Sequence, residues 1–290
     1  MIINYLIKEK IKLRDYLESF YLSKSKIYKL FFEKKIYLND ELAREADLLN
    51  PGDIISISYD EEVDYIESDS IPEILYEDDY LLIVNKPSHI LIHNEKDNTD
   101  SLSNMVAKYY KDNNINLNVR FAHRIDYDTT GVVIYCKDIL TLSYFSHMIE
   151  EHKIRRTYFL LCENRLPNTK GSITLPIGSD RHNNNHYLVT KNGKYAKTNY
   201  ELIREYDGFS SYKVNLETGR THQIRVHFSH LKAPLLGDKL YGGKNVLDRC
   251  ALHSWSVEFI HPVTKEKLSV TAPIPSDLMD IIKDVNKNCY

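Results

Sequence analysis

Three short stretches hold residues able to do chemistry. Residues 121–131, FAHRIDYDTTG, put His123, Arg124 and Asp126 within four positions, ahead of Thr129, Thr130 and Gly131. An apolar run at 132–136 follows, so the pattern is a polar loop feeding a buried strand. A carboxylate beside a guanidinium on such a loop suits a concave site that keeps one acid ionised. The same residues would also serve as a surface ion pair capping a strand. The second stretch, ETGRTHQIRVHFSHLKAPLLGDKLYGG at 217–243, carries Arg220, His222 and Arg225, then Lys232 and Lys239. Thr221 is placed to cap a helix over 222–231, with Ile224 and Phe228 one turn apart and Arg225 one position off that stripe. The third, IRRTYFLL at 154–161, sets Tyr158 in a strand-like run.

Two other chemistries compete for these residues. His222, His227 and His230 invite a metal site. Yet five residues along a helix separate two side chains by about 140°, unlike the one-face histidine pair that binds zinc. His123 and His222 acting as general base and acid on RNA would call for a hydroxyl residue two positions after each. Ile125 and Ile224 stand there instead. No metal is expected.

The elements that must position these groups come from the rest of the chain. At 290 residues it is long enough for one large domain and a small one. No apolar run approaches a membrane span, and the first residues lack the apolar core and cleavage site of a secretory signal. Cys136, Cys162, Cys250 and Cys289 are far apart, which fits buried thiols in a reducing cytoplasm. The net charge of −3 is unevenly spread. Residues 8–35 hold nine Lys/Arg against four Asp/Glu, net +5, and residues 40–79 hold fifteen Asp/Glu and only Arg44, net −14. The remaining positions therefore carry +6, so two basic segments flank an acidic connector. An anionic partner would meet the basic faces.

Residues 11–32 have helical periodicity, with Leu13, Tyr16, Leu17 and Phe20 on one face. Ser23 or Ser25 would cap a second helix that turns Ile27, Leu30 and Phe31 inward. Strands at 36–38 and 54–59 follow, separated by turns at Asn39-Asp40 and 50–53. Residues 61–73 read as an acidic linker between a domain at 1–60 and one at 74–290. The latter opens with two strands, the second stopped by Pro87, and a helix capped by Thr99 or Asp100 that carries Leu102, Met105, Val106 and Tyr109. A helix over 138–151 turns Leu142, Phe145 and Ile149 inward. Residues 178–197 read as a long hairpin or flexible loop with a turn at Asn192-Gly193. Strands at 198–204, 211–216, 252–259 and 268–271 and a helix over 276–285 complete the chain.

The helix–helix–strand–turn–strand order at the N-terminus resembles the S-four-like domain, a small RNA-binding module first known from a ribosomal protein of the small subunit. LRDYL, SKSKIYKL, IYLND and PGDIISI match its pattern loosely, with Lys35 and Asp40 where glycines are common. The resemblance implies a small α/β RNA-binding domain whose Lys24, Lys26 and Lys29 lie along phosphates.

Residues 76–273 resemble the RluA branch of the pseudouridine synthases. YEDDYLLIVNKP, AHRIDYDTTGVVIYCKD, TGRTHQIRVHFSHLKAPLLGDKLYG and LHSWSVEFIHP match its motifs, with Ile125 for leucine and Thr130 for serine. The resemblance implies an α+β fold: a mixed, mostly antiparallel sheet with a central cleft. It implies isomerisation of uridine to pseudouridine in structured RNA. That reaction has no redox step and no phosphate, so no cofactor is needed. In this family Asp126 would act on the ribose of a flipped nucleotide, attacking the anomeric carbon or taking the neighbouring proton. Desolvation against a stacked base pushes a carboxylate toward protonation, and a guanidinium nearby opposes that; Arg225 is the implied partner. Tyr158 would lie flat against the uracil, and Leu252 would pack beneath it. Arg124 would fill the vacated stack or hold a phosphate, His123 would hydrogen-bond loop backbone, and Arg220 and His222 would contact phosphates. The appended module points to ribosomal RNA. Transfer RNA is the alternative substrate, and an inactive RNA-binding or ribosome-assembly protein the alternative function. A monomer is expected.

Overall fold

The computed structural model describes residues 1–93 and 99–287. The chain opens with β1 (Ile2–Leu6), in which Ile3 and Tyr5 point inward. There follow β2 (Ile11–Lys12), α1 (Leu13–Glu18), α2 (Lys24–Phe32), β3 (Ile36–Leu38), β4 (Glu41–Leu42), β5 (Leu48–Leu49) and β6 (Ile54–Ser58). The helical stretch at 11–32 is two helices because Tyr21 adopts φ 58°, which no α-helix accommodates. Ser23, not Ser25, caps α2, its hydroxyl accepting from the Lys26 N–H at 3.4 Å. An antiparallel sheet in the order β1-β6-β3-β4 and the pair β2–β5 make up the strands of this unit. Leu13, Leu17, Ile27 and Leu30 are the buried faces of α1 and α2.

The larger unit runs β7 (Glu73–Glu77), β8 (Leu81–Lys86), α3 (Leu102–Asp112), β9 (Thr130–Cys136), α4 (Ile139–Glu150), β10 (Arg155–Cys162), β11 (Lys170–Thr174), β12 (Ile177–Ser179), β13 (Tyr187–Val189), β14 (Lys197–Tyr206), β15 (Phe209–Leu216) and α5 (Gln223–His230). A 3₁₀ turn (Lys239–Tyr241), β16 (Leu252–Ile260), β17 (Lys267–Thr271) and α6 (Ser276–Lys287) close it. Nine strands form one sheet in the order β11-β14-β15-β10-β16-β9-β8-β7, with β17 also on β16. Every neighbouring pair is antiparallel except β16 with β9, which is parallel. This is the expected mixed, mostly antiparallel sheet. The apolar run of β9 is buried on both faces, which is why it does not alternate. At the parallel seam Gly131 has φ 110°, and a Cβ there would sit 2.1 Å from the Ser254 carbonyl oxygen. Only glycine lets the loop before β9 enter the sheet this close to β16.

Several helix details differ from the sequence reading. Ser101 caps α3, not Thr99 or Asp100. Its hydroxyl accepts from the Asn104 N–H and the Asn104 amide oxygen accepts from the Ser101 N–H, a reciprocal pair that satisfies two free donors. Tyr110 rather than Tyr109 is the buried tyrosine of α3. In α4, capped by Asp138, the buried residues are Leu140, Thr141, Tyr144 and Phe145, whereas Leu142 and Ile149 are half-buried. Cys136, Cys162 and Cys250 are buried free thiols; Cys289 lies outside the described residues. No described helix is long and apolar enough to cross a membrane.

The two units share one apolar core. The Tyr5 ring packs against Tyr80 at 5.3 Å, and the Tyr80 hydroxyl donates to the Asn4 carbonyl at 2.6 Å. Tyr21 stacks on His147 of α4 at 3.6 Å. The acidic segment between the units has neither helix nor strand over 60–72, yet it is fastened down. Glu61 pairs with Arg120, the Asp64 carboxylate accepts from the Val119 N–H at 2.8 Å, and the Asn104 amide donates to the Ile66 carbonyl at 2.8 Å.

Candidate active site

The three chemistry-bearing stretches meet at a cleft of about 850 Å³. His123, Arg124 and Asp126 line it from the loop before β9, Tyr158 from β10, and Leu252 from β16. Arg220, His222 and Arg225 line it from the start of α5. Lys24, Lys26 and Lys29 do not; they are exposed on α2.

The start of α5 is built without the expected threonine cap. His222 occupies the cap position in a left-handed conformation, φ 53°, and makes no side-chain cap bond, so the helix begins at Gln223. The buried Gln223 amide does the anchoring. Its oxygen accepts from the Thr218 hydroxyl at 2.7 Å and the Arg220 N–H at 3.0 Å. Its nitrogen donates to the Lys197 carbonyl at 3.0 Å and the Thr198 hydroxyl at 2.9 Å. Two donated and two accepted bonds hold the first turn in one place, two residues from Arg225.

Arg225 is locked on one edge and free on the other. Its Nε and Nη2 donate to the two Asp238 carboxylate oxygens at 2.8 and 2.7 Å, and Asp238 is fully buried. The guanidinium lies 4.9 Å from the centre of the Tyr241 ring. Its remaining nitrogen, Nη1, points at Asp126, 4.0 Å from Oδ2. Burial works against the Arg225 charge, but the Asp238 carboxylate outweighs it, and the guanidinium pKa is raised. Asp126 itself keeps about a quarter of its side chain open to the cleft, so an incoming group can reach the carboxylate.

The Asp126 loop is fixed from below. The Thr129 N–H donates to the Asp126 carbonyl at 3.1 Å, closing a turn. Lys86, fully buried at the end of β8, donates to the carbonyls of Pro87, Ile90 and Tyr127 at 2.9, 2.8 and 2.9 Å. Three ammonium protons meet three carbonyls, one of them next to Asp126. Burial pulls the Lys86 pKa down to about 7, with the Asp126 and Asp128 carboxylates opposing.

The remaining lining residues divide by type. Tyr158 is 5% exposed and packs with Leu252, Ile224 and Ile125; burial raises its phenol pKa. His123 is buried, its Nε2 accepting from the Ile134 N–H at 3.3 Å, and burial followed by the Arg156 charge lowers its pKa to about 3. It is a neutral ring that braces the backbone of β9. Arg124 is exposed at the mouth. Arg220 donates to the Tyr195 carbonyl at 2.8 Å and Arg156 lies buried against Gly219, so cationic groups ring the opening. His222 hydrogen-bonds the Tyr241 hydroxyl at 2.9 Å, and burial lowers its pKa against the pull of Asp126. His227 spends both ring nitrogens on Thr198 and the Leu175 carbonyl, each at 2.9 Å, which leaves none for a metal.

The family model for RNA pseudouridylate synthase matches residues 80–230. The chain belongs to the RNA pseudouridylate synthase family. Relatives agree over nearly the whole length. An uncharacterized RNA pseudouridine synthase of Bacillus subtilis, YhcT, is 36% identical over 270 residues, covering 90% of this chain and 88% of the relative. A ribosomal large subunit pseudouridine synthase D of Salmonella typhimurium is 30% identical over 279 residues, covering 90% and 85%. The fold is that of human RNA pseudouridylate synthase domain containing 4, with a TM-score of 0.63 at 19% identity, covering 74% of this chain and 93% of that one. The chain is therefore an RluA-family RNA pseudouridine synthase, an isomerase whose substrate is RNA.

Asp238, Lys86, Tyr241 and Gln223 were not singled out from the sequence. Asp238 and Tyr241 sit in GDKLYG and Lys86 in NKP, inside the matched motifs, so a signal was present. Their roles were hidden because each acts on a residue distant in the chain.

Proposed function

We propose that Asp126 is the group that meets the ribose of a uridine swung out of folded RNA, with Arg225 as its fixed cationic neighbour. The observation that carries this is the 4.0 Å approach of Arg225 Nη1 to a part-exposed Asp126, while the rest of that guanidinium is held by Asp238. The positive charge is preorganised and needs no rearrangement when substrate arrives. Tyr158 and Leu252 offer a flat apolar surface for the uracil, and Arg124 stands at the mouth to fill the vacated stack or take a phosphate. Arg220 and His222 border the same opening and suit the flanking phosphates.

Two routes start from the Asp126 contact. In one, the carboxylate displaces the base from C1′, and C5 of the turned uracil later displaces the carboxylate. In the other, Asp126 removes the C2′ proton as the C1′–N1 bond breaks, and that proton returns to C2′ as C5 bonds to C1′. Both release the proton originally on C5. A primary isotope effect with 2′-deuterated uridine marks the second route and is absent in the first.

Residues 1–60 form the RNA-binding unit in this proposal, 61–73 the connector and 74–290 the catalytic domain. The target is ribosomal RNA. The name of the Salmonella relative and the basic face of α2 support that reading, and buried free thiols support a cytoplasmic setting. Pseudouridine mapping in total RNA from cells with and without the protein tests it. A site lost from ribosomal RNA supports the proposal; one lost only from transfer RNA overturns the target. Asp126→Asn abolishes tritium release from 5-tritiated RNA while RNA affinity stays within a few fold. Normal turnover by this variant removes Asp126 from the mechanism.

A further inference from the structure

Helix α2 carries two large aromatic rings on its most exposed line. Tyr28 and Phe32 are 67% and 73% exposed, yet they stack on each other with centroids 5.8 Å apart and ring planes 20° from parallel. Ile27 and Leu30 are buried in the core, and about 100° per residue puts Tyr28 and Phe32 well away from them. Neither ring supports the fold. Lys24, Lys29 and Lys34 are exposed around them. Tyr21, three residues before α2, stacks on His147, and Ile149 and Glu150, within one turn of His147, line the cleft. The segment entering α2 is thus tied to α4, which borders the cleft.

We infer that the Tyr28–Phe32 pair is a stacking platform for unpaired bases of the substrate RNA, flanked by lysines that hold its phosphates. The inference rests on the reading of residues 1–60 as an RNA-binding unit. Charge selects the occupant. A lysine-ringed aromatic face suits a polyanion with π-faces and disfavours a second copy of itself, which would bring like charges together. Duplex RNA has no free base to offer, so the platform selects single-stranded nucleotides next to a helix.

The test uses the full-length protein and two labelled probes without uridine. One is a blunt guanosine–cytidine RNA duplex; the other is the same duplex with an unpaired adenosine tail. For Tyr28→Ala/Phe32→Ala, affinity for the tailed probe falls about tenfold, the scale of one lost base–aromatic stack, while the blunt duplex changes less than about twofold. Tyr28→Trp/Phe32→Trp keeps tail binding, and Tyr28→Leu/Phe32→Leu loses it. Equal affinity of wild type and the alanine variant for the tailed probe overturns the platform. If Lys24→Ala/Lys26→Ala/Lys29→Ala still weakens both probes, the RNA-binding reading of the unit survives that result. If neither set of variants alters binding, both readings fall. Conversion of a wild-type dimer into a monomer by the alanine variant, seen in sedimentation, assigns the rings to self-association and overturns the inference.

Discussion

Asp238→Asn tests the central geometry most sharply, because it removes a charge that never faces the substrate. Asp238 is fully buried and accepts from Arg225 Nε and Nη2. Asparagine keeps the shape and one acceptor, but its NH₂ faces a guanidinium donor. One charge-assisted bond is lost, about 1.5–3 kcal/mol, and a buried cation loses its main counter-charge, a fault that costs about 3–5 kcal/mol in comparable pairs. These figures overlap rather than add, since Asp126 remains 4.0 Å away. A net loss of about 3 kcal/mol lowers Tm by roughly 5 °C in a chain of 290 residues. The freed guanidinium swings toward Asp126 and claims the oxygens that should meet the ribose. A displacement of about 1 Å at the reacting group costs about a hundredfold in rate. Circular dichroism gives the Tm, and single-turnover tritium release at saturating enzyme gives the chemical step apart from binding. A variant with the wild-type single-turnover rate and a lowered Tm would show that Asp126 works without a fixed Arg225, refuting the reasoning. An unchanged Tm would show that the Asp238 bond does not matter even structurally.

Three further outcomes follow from other parts of the molecule. Lys86→Met leaves the carbonyls of Pro87, Ile90 and Tyr127 without their donor, so hydrogen exchange at residues 124–129 speeds up and turnover falls, while affinity for RNA changes little. The triple variant Lys24→Ala/Lys26→Ala/Lys29→Ala lowers the slope of log affinity against log salt by about one unit for each phosphate that no longer meets a lysine; an unchanged slope excludes these lysines from the interface. It is a better probe than deleting residues 1–60, because that deletion would strip Tyr5 from Tyr80 and open the shared core. His123 and His253 are held neutral by burial, with pKa values of about 3 and about 4 against an ordinary 6.5. Between about pH 6.5 and pH 4 the unfolded chain binds more protons than the native one, so stability falls as pH drops through that window, by at most about 1.4 kcal/mol per pH unit for each group. Urea midpoints measured across it should fall less steeply in His123→Gln, and an equal slope would mean that His123 is protonated in the native state.

The sequence by itself determined the local units and the inventory of reactive groups. Short apolar runs bounded by turn or polar residues located β8, β9, β10 and β16, and helical spacing located α2, α3, α4 and α6, because such patterns are written within a segment. The motif residues named Asp126, Arg225 and Tyr158 without any knowledge of their separation. Short-range competition was harder to read. Ser101 displaced Thr99 and Asp100 as a cap because only it has Asn104 three positions on to return the bond. Thr221 lost its role because the Gln223 amide already anchors that turn. What only the tertiary structure decided is the site itself. Residues 126, 225 and 238 meet from separate segments: Asp126 lies on the loop that enters the sheet beside β16 at Gly131, Arg225 lies on α5, and Asp238 fixes the direction of that guanidinium thirteen positions away. Pattern within a segment fixes which way a side chain faces, whereas the few ångströms between two charges depend on how distant segments pack.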